Sequence, residues 1–205
     1  MSKGSRPINS SRRRGHRALT KKILIIGDGK SEEVYFNDWV GRNPNIKVIS
    51  RGTGKTGIDE ALRKAKGYER TLGLDLRAGD RIAIVMDLDL RYSSRDVADM
   101  VDLVSKYAYE LYLSNPCFEV WLIDHFRKLT CYSTPEDLER TLREILQRGG
   151  RGTYNKSSGI RWDDAMLQVT LDNASKDCID SKCTHQWCLD NNPSTMVHLL
   201  VRTLM

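Results

Sequence analysis

Two short acidic motifs in this chain of 205 residues each follow a run of aliphatic residues. Ile23-Leu24-Ile25-Ile26 leads into Gly27-Asp28-Gly29, and Ile82-Ala83-Ile84-Val85-Met86 leads into Asp87-Leu88-Asp89. Carboxylates that share a partly buried site repel one another unless a hard cation such as Mg²⁺ or Mn²⁺ neutralises them, so the economical chemistry for such a set is divalent-metal binding. Aspartates at i and i+2 at a strand end can point to the same side, which suits Asp87 and Asp89 to one site. The competing reading is that Asp-x-Asp only caps the loop and helix that follow, because short acidic motifs are weakly specific.

Other patterns carry less. Gly52-Thr53-Gly54-Lys55-Thr56 resembles a phosphate loop, but the Walker pattern requires a glycine where Ile49 stands, so any ATP use is expected from a partner. Cys178, Cys183, His185 and Cys188 lie close enough to suggest zinc, yet their spacing matches none of the usual short-knuckle patterns. Cys117 has no paired base in view and reads as a small core residue.

For Asp28 and Asp87 to meet, the two aliphatic runs must be neighbouring parallel strands whose carboxyl ends share a crevice. The pattern supports this. Residues 23–26 and 82–86 are apolar on both faces, as central parallel strands are, and Ile46–Ile49 and Tyr107–Leu113 read as two more strands. Between them the spacing predicts helices: one capped by Ser31 with Phe36, Trp39 and Val40 on one face, one over 58–72, and one over 96–105. The alternation predicts an α/β fold with a doubly wound, mostly parallel sheet flanked by helices. After Ser114, Asn115 reads as a helix cap with Pro116 at the first position, and Phe118, Trp121, Leu122 and His125 fall on one stripe. Further helices are predicted around Leu138–Leu146 and over 163–175, with a Gly-rich loop over 149–159 between them. No repeat or long linker separates this helix-rich half, so it is expected to pack on the sheet, giving a single domain over 23–205.

Blocks spread over most of the chain resemble the RloB family of phage-defence proteins. They are residues 23–36, running from Ile23 to Phe36, then Asp87-Leu88-Asp89, Ser114-Asn115-Pro116-Cys117-Phe118-Glu119-Val120-Trp121-Leu122, His125-Phe126, Tyr154-Asn155-Lys156 and Asn192-Pro193-Ser194-Thr195. The resemblance implies a Toprim-like fold, similar to the Toprim nucleases of the OLD type, with Mg²⁺ or Mn²⁺ as cofactor and nucleic acid, DNA or RNA, as substrate. It also implies an ATPase partner of the AAA or ABC type, and is compatible with a homo-oligomer. It assigns roles: Asp28 as metal ligand or general base, Glu32 as a second acid one helical turn later, Asp87 and Asp89 as the metal pair, Glu119 completing the acidic ring, and Lys156 stabilising charge on the phosphate. His125, on the apolar stripe, reads first as a packed histidine, with support of this set from behind as its other role. The family pattern places Glu before the glycine where this chain has Asp28, whose side chain is one methylene shorter; an ångström of displacement costs on the order of 100-fold in rate. The function implied is therefore a metal-dependent nuclease. A catalytically silent module that binds nucleic acid or the ATPase is the alternative, and a topology-changing enzyme ranks last. By position alone, Glu32 and Glu119 also suit the first turns of helices, where the dipole favours an acid without any catalytic role.

Composition is that of a soluble globular protein, with 40% hydrophobic and 29% charged residues and no apolar run near the ~18 residues of a membrane span. The basic N-terminus lacks a signal peptide's apolar core, so a cytoplasmic location with reduced cysteines is expected. The net charge of +6 is concentrated at one end: residues 1–22 carry +8, which leaves −2 for the rest. This Gly/Ser/Arg-rich arm cannot bury enough apolar surface to fold alone. Its Arg12, Arg13, Arg14, Arg17, Lys21 and Lys22, with Lys30 beyond it, suit phosphate neutralisation, although such arms also serve simply as solvated tails. Deletion of residues 1–20 is expected to weaken nucleic-acid binding and flatten its salt dependence, measured by titration at several salt concentrations; an unchanged slope returns the arm to the solvated role.

Overall fold

The computed structural model describes residues 20–52, 57–131, 133–157, 159–175 and 183–205. Five strands form one sheet: β1 (Lys21–Gly27), β2 (Ile46–Gly52), β3 (Arg81–Asp87), β4 (Glu110–Asn115) and β5 (Ser194–Thr195), in the order β2-β1-β3-β4-β5. The first four are parallel and the two-residue β5 is antiparallel. Gly27 is level with Gly52 and Val85, and Asp87 with Ser114, so the carboxyl ends of all four parallel strands form one edge.

Side-chain parity explains the continuous aliphatic runs. Ile23, Ile25, Ala83 and Val85 pack on one face, and Leu24, Ile26, Ile82, Ile84 and Met86 on the other. Each face is covered by helices, so neither strand has a solvated side to alternate with.

Helix α1 (Lys30–Asn37) contributes Tyr35 and Phe36 to the first face, whereas α2 (Gly57–Leu72) and α3 (Ser94–Ser105) contribute Ala61, Leu62, Ala65, Val97, Met100 and Val104 to the second. That division follows from the right-handed crossover. The chain moves outward from β1 to β2 and then back past β1 to β3, and reversing direction exchanges the face that the connecting helix covers. The reversal leaves a crevice above β1 and β3. Beyond β4, α4 (Glu119–Asp124), α5 (Pro135–Arg148), α6 (Asp164–Ser175) and α8 (Val197–Arg202) join α1 in one apolar cluster, through Trp121, Leu142, Leu171 and Leu200 among others. The short α7 (His185–Asp190) packs Cys188 on the opposite face against α3. No helix of the described residues is long and apolar enough to cross a membrane.

Several local expectations are corrected. Gly29, not Ser31, is the N-cap of α1, and Ser31 turns inward instead. Trp39 and Val40 lie beyond the helix, and Val40 is 58% exposed, so only Trp39 reaches the core. The fourth strand begins at Glu110, after Ala108 takes a left-handed backbone. Asn115 caps no helix: it ends β4, and its amide donates to the carbonyls of Cys188, Leu189 and Asn191 at 2.9–3.2 Å. The Phe118/Trp121/Leu122/His125 stripe is not a stripe either, because every residue of α4 is buried. Disulfides were not expected, yet Cys183 is disulfide-bonded.

The approach of α1 to the sheet depends on a missing side chain. A Cβ on Gly27 would stand 2.5 Å from Cβ of Glu32. Gly27→Ala is expected to push α1 off the strand and destabilise the fold by about 1–3 kcal/mol, read as a lower urea midpoint at unchanged m-value.

Candidate metal centre at the carboxyl end of the sheet

The crevice above β1 and β3 is where the acids gather. Asp28 is the first residue past β1, buried, and its backbone N–H donates across to the carbonyl of Val85 at 3.1 Å. One turn into α1, the buried Glu32 carboxylate accepts from the Gly29 N–H at 3.2 Å. Asp87 ends β3 with the parity of Ala83 and Val85, which aims it at the face carrying α1 and α4. Its Oδ1 accepts from the Phe118 N–H at 2.8 Å and so caps the start of α4, a service that no side chain of α4's own N-cap performs. Glu119 opens α4 and is buried; its Oε1 accepts from the Tyr154 hydroxyl at 2.7 Å and from Ser31 Oγ at 3.4 Å, and the two hydroxyls lie 2.8 Å apart.

Electrostatics follow from this crowding. Burial is the main cause raising the Glu32 carboxyl to about 8, opposed by backbone hydrogen bonds and reinforced by the charges of Glu119 and Asp28. Burial likewise raises Asp87 well above the carboxylate range, with Glu32, Glu119, Asp28 and Asp89 adding to it. The acids thus feel one another directly. Two carboxylates in contact with the same low-dielectric space cannot both ionise cheaply without a counter-charge. Hard oxygen donors in such a set match the chemistry of Mg²⁺ or Mn²⁺. Among the described residues, however, no group of three or more His, Cys, Asp or Glu side chains is already arranged to hold a metal ion. Glu32, Asp87 and Glu119 are each held by a protein donor at one carboxylate oxygen. The donor types fit a divalent cation, and binding one requires these carboxylates to re-aim. Space is present: Gly29, Ser31, Glu32, Asp87, Glu119 and Lys156 line a cleft of about 220 Å³ together with Lys30 and Phe118.

Lys156 reaches the cleft from the Gly-rich loop. Its Nζ lies 3.7 Å from Glu119 Oε1 and is paired with Glu139 of α5. Partial burial would lower its pKa, but the hydrogen bond to Glu139 and the charges of both glutamates outweigh that and raise it, so the ammonium stays charged. Asp89 turns away in a left-handed conformation (φ 46°) and pairs with Arg91 at 2.8 Å, although its charge still reaches Asp87. Lys30 is near the cleft and pairs with Glu33 at 3.0 Å.

Other candidates are not brought to the cleft. Lys21 and Lys22 start β1 at the opposite end of the sheet, where the Lys22 ammonium donates to the carbonyls of Leu72 and Gly73 at the end of α2. Arg12, Arg13, Arg14 and Arg17 lie outside the described residues, as do Thr53–Thr56 and Cys178. His125 is buried among the rings of Tyr35, Trp121 and Trp162, and burial lowers its pKa to about 3, so it is a neutral imidazole within the aromatic core. The zinc candidates are otherwise engaged: Cys183 is disulfide-bonded, His185 Nε2 meets the carbonyl of Leu111 at 2.9 Å, and the Cys188 thiol points to the carbonyl of Leu113. Burial raises the Cys117 thiol far above the range of a nucleophile.

Ser31, Tyr154 and Glu139 were not among the residues singled out for chemistry. Ser31 and Tyr154 join Glu119 over separations of 88 and 35 residues, and Glu139 fixes Lys156 from a different helix. Ser31 and Tyr154 carried a signal in their places within the 23–36 and Tyr154-Asn155-Lys156 blocks, whereas Glu139 carried none.

The raised Glu32 carboxyl sets a pH dependence. A pKa raised from 4.5 to about 8 means that the folded state binds this proton more tightly than the unfolded state. Its contribution to stability is complete below the unfolded value and is lost as pH rises through the folded one. Between pH 5 and 8 the Tm of the metal-free protein is expected to fall, Glu32→Gln to flatten that fall, and Mn²⁺ to raise Tm more at pH 8 than at pH 5. Thermal unfolding followed by circular dichroism checks all three, and an unflattened slope in the variant contradicts the assignment.

No curated protein and no solved structure matches the chain closely enough to count as a relative. A family model does match: that of RloB-like proteins covers residues 23–204, a span that takes in both acidic strand ends, the start of α4 and the loop bearing Lys156, and by that match the chain belongs to the RloB-like family.

Proposed function

We propose that this protein is a metal-dependent nuclease of the Toprim type, cleaving phosphodiesters of DNA or RNA in defence against phage and working with an ATPase partner of the AAA or ABC type. The observation that carries this reading is the gathering of the buried Glu32, Asp87 and Glu119 around one cleft at the β1/β3 crevice, where burial first and the neighbouring acids second raise Asp87. Membership of the RloB-like family supports it.

Mg²⁺ or Mn²⁺, held by Asp28, Asp87 and Glu119, and by Asp89 only if it were released from Arg91, would neutralise charge on the attacking and leaving oxygens of the phosphodiester. The chain's own groups do the rest. Glu32 lines the cleft with a carboxyl raised to about 8 in the metal-free protein, and the charge of a bound cation would lower it, leaving a carboxylate suited to accept the proton of an attacking water. Lys156 brings a permanent positive charge to the cleft wall, where it opposes the charge that builds on the phosphoryl oxygens. Ser31 and Tyr154 orient Glu119 through hydroxyl hydrogen bonds, leaving less freedom to be lost when the site engages substrate.

A second reading is favoured by one observation, that no ready-made ligand set exists among the described residues, and it agrees with the Asp28 that stands where the resemblance implies Glu. On that reading the chain binds nucleic acid or the ATPase and cleaves nothing. Purified protein incubated with DNA and RNA in Mg²⁺ or Mn²⁺ separates the two. Asp87→Ala is expected to lose more than about 100-fold of the metal-dependent cleavage with its circular dichroism unchanged, Asp28→Ala to lose activity, and Asp28→Glu to keep or raise it. Identical behaviour of the parent, Asp87→Ala and Asp28→Glu on every substrate, with and without the ATPase, rejects the nuclease.

A further inference from the structure

The loop that delivers Tyr154 and Lys156 to the cleft also carries a second concavity. Leu146, Gly150, Arg151, Thr153, Ile160 and Arg161 line a pocket of about 500 Å³, more than twice the volume of the acidic cleft. Both arginines are exposed. Arginines nearby are neutralised: Arg140, Arg143 and Arg148 of α5 each have a carboxylate of the same helix within 4.0 Å. Arg151 and Arg161 differ. Arg151 donates to the backbone carbonyl of Arg161 at 3.2 Å, approaches Met166 Sδ, and lies 5.7 Å from the Phe126 ring, with no carboxylate among these contacts. The Arg161 side chain makes no ion pair or hydrogen bond among the described residues.

Two guanidinium groups at one concave site, without acids of their own, are arranged for an anion from outside. The planar fork of arginine donors matches phosphate geometry. The position of the pocket narrows the source. Thr153 lines it and is one Cα step of ~3.8 Å from Tyr154, whose hydroxyl touches Glu119, while Gly159 at the pocket's return packs against Val34 of α1, where a Cβ would stand 2.5 Å from the Val34 methyl. The pocket and the acidic cleft are therefore neighbours along one loop, one positive and one negative.

We propose that the Arg151–Arg161 pocket binds the sugar-phosphate backbone of a nucleic-acid strand next to the phosphodiester that enters the acidic cleft. This rests on the nuclease reading for the role of the cleft, but the pocket itself is a phosphate-binding surface that works without metal. The pairing also answers a problem of that reading, because a cleft lined by carboxylates repels a polyanion, and attraction to the strand must come from beside it.

The test uses the full-length protein and fluorescein-labelled oligo-dT and oligo-U of about twelve nucleotides, followed by fluorescence anisotropy in EDTA over a range of salt concentrations. Each phosphate contact to a single strand contributes about 0.7 to the slope of log affinity against log salt, so R151Q/R161Q is expected to lower the slope by about 1.4 and the affinity at 0.1 M salt by about twentyfold. R161Q alone, whose side chain has no partner to lose among the described residues, should give about half that change in slope. R151K/R161K should restore the slope. Equal affinity and slope for the parent and R151Q/R161Q overturn the proposal, as does failure of the parent to bind either oligonucleotide. Cleavage in Mn²⁺ is read in parallel. Cleavage by the parent together with unaltered binding by R151Q/R161Q rejects the pocket and leaves the nuclease; weakened binding by R151Q/R161Q with no cleavage by any variant supports the pocket and rejects the nuclease.

Discussion

Burying several carboxyl groups in one crevice is unfavourable twice over, once through lost hydration and once through mutual repulsion. Glu32 and Asp87 show both effects, with burial as the larger and neighbouring acids as the smaller. A fold that tolerates this arrangement must hold the acids from outside the crevice. Here the sheet does so: Asp28 follows directly on β1 and Asp87 ends β3, strands whose side chains are buried on both faces, and the backbone of Asp28 is bonded to β3. Repelling the acids apart would mean separating β1 from β3 at the centre of the molecule.

The same constraint accounts for the smaller devices around the crevice. Gly27 has no side chain because Glu32 occupies that space, and Gly52 has none because the carbonyl of Gly29 would be only 2.9 Å from a Cβ. The N–H groups of Gly29 and Phe118 give Glu32 and Asp87 hydrogen bonds that favour the charged form, partly offsetting burial. Ser31 and Tyr154 donate hydrogen bonds to Glu119, and Lys156 adds a positive charge that Glu139 holds in place. The acids of the cleft are held by neutral donors and by the Lys156 ammonium, a balance that a divalent cation would change.

What could be read in the sequence was what local patterning controls. The aliphatic runs of β1 and β3 announced central strands, and the acids that follow them announced a crevice, because parallel strands collect function at their carboxyl ends. Capping signals misled where long-range pairing was stronger. Asn115-Pro116 has the chemistry of a helix start, yet pairing of β4 with β5 and three carbonyls from the segment 188–191 hold Asn115 in the sheet. Ser31 was read as a cap, but a buried hydroxyl partner 123 residues away draws it inward. Asp89 matched Asp87 by spacing and departs from it through a left-handed turn that no pattern of period two foresees. Glu139 gave no signal at all, since an acid on a charged helix is ordinary until the structure sets Lys156 against it.

The central claim is that the buried acids at the β1/β3 crevice form a metal site. Crystals grown with Mn²⁺, with diffraction recorded near the manganese edge, test it most directly. The account predicts an anomalous peak within coordination distance of Asp28 and Asp87, with Glu32 or Glu119 turned from its present hydrogen bond toward the ion. A crevice without an anomalous peak at saturating Mn²⁺, its carboxylates still on the Gly29, Phe118 and Tyr154 donors, would contradict it.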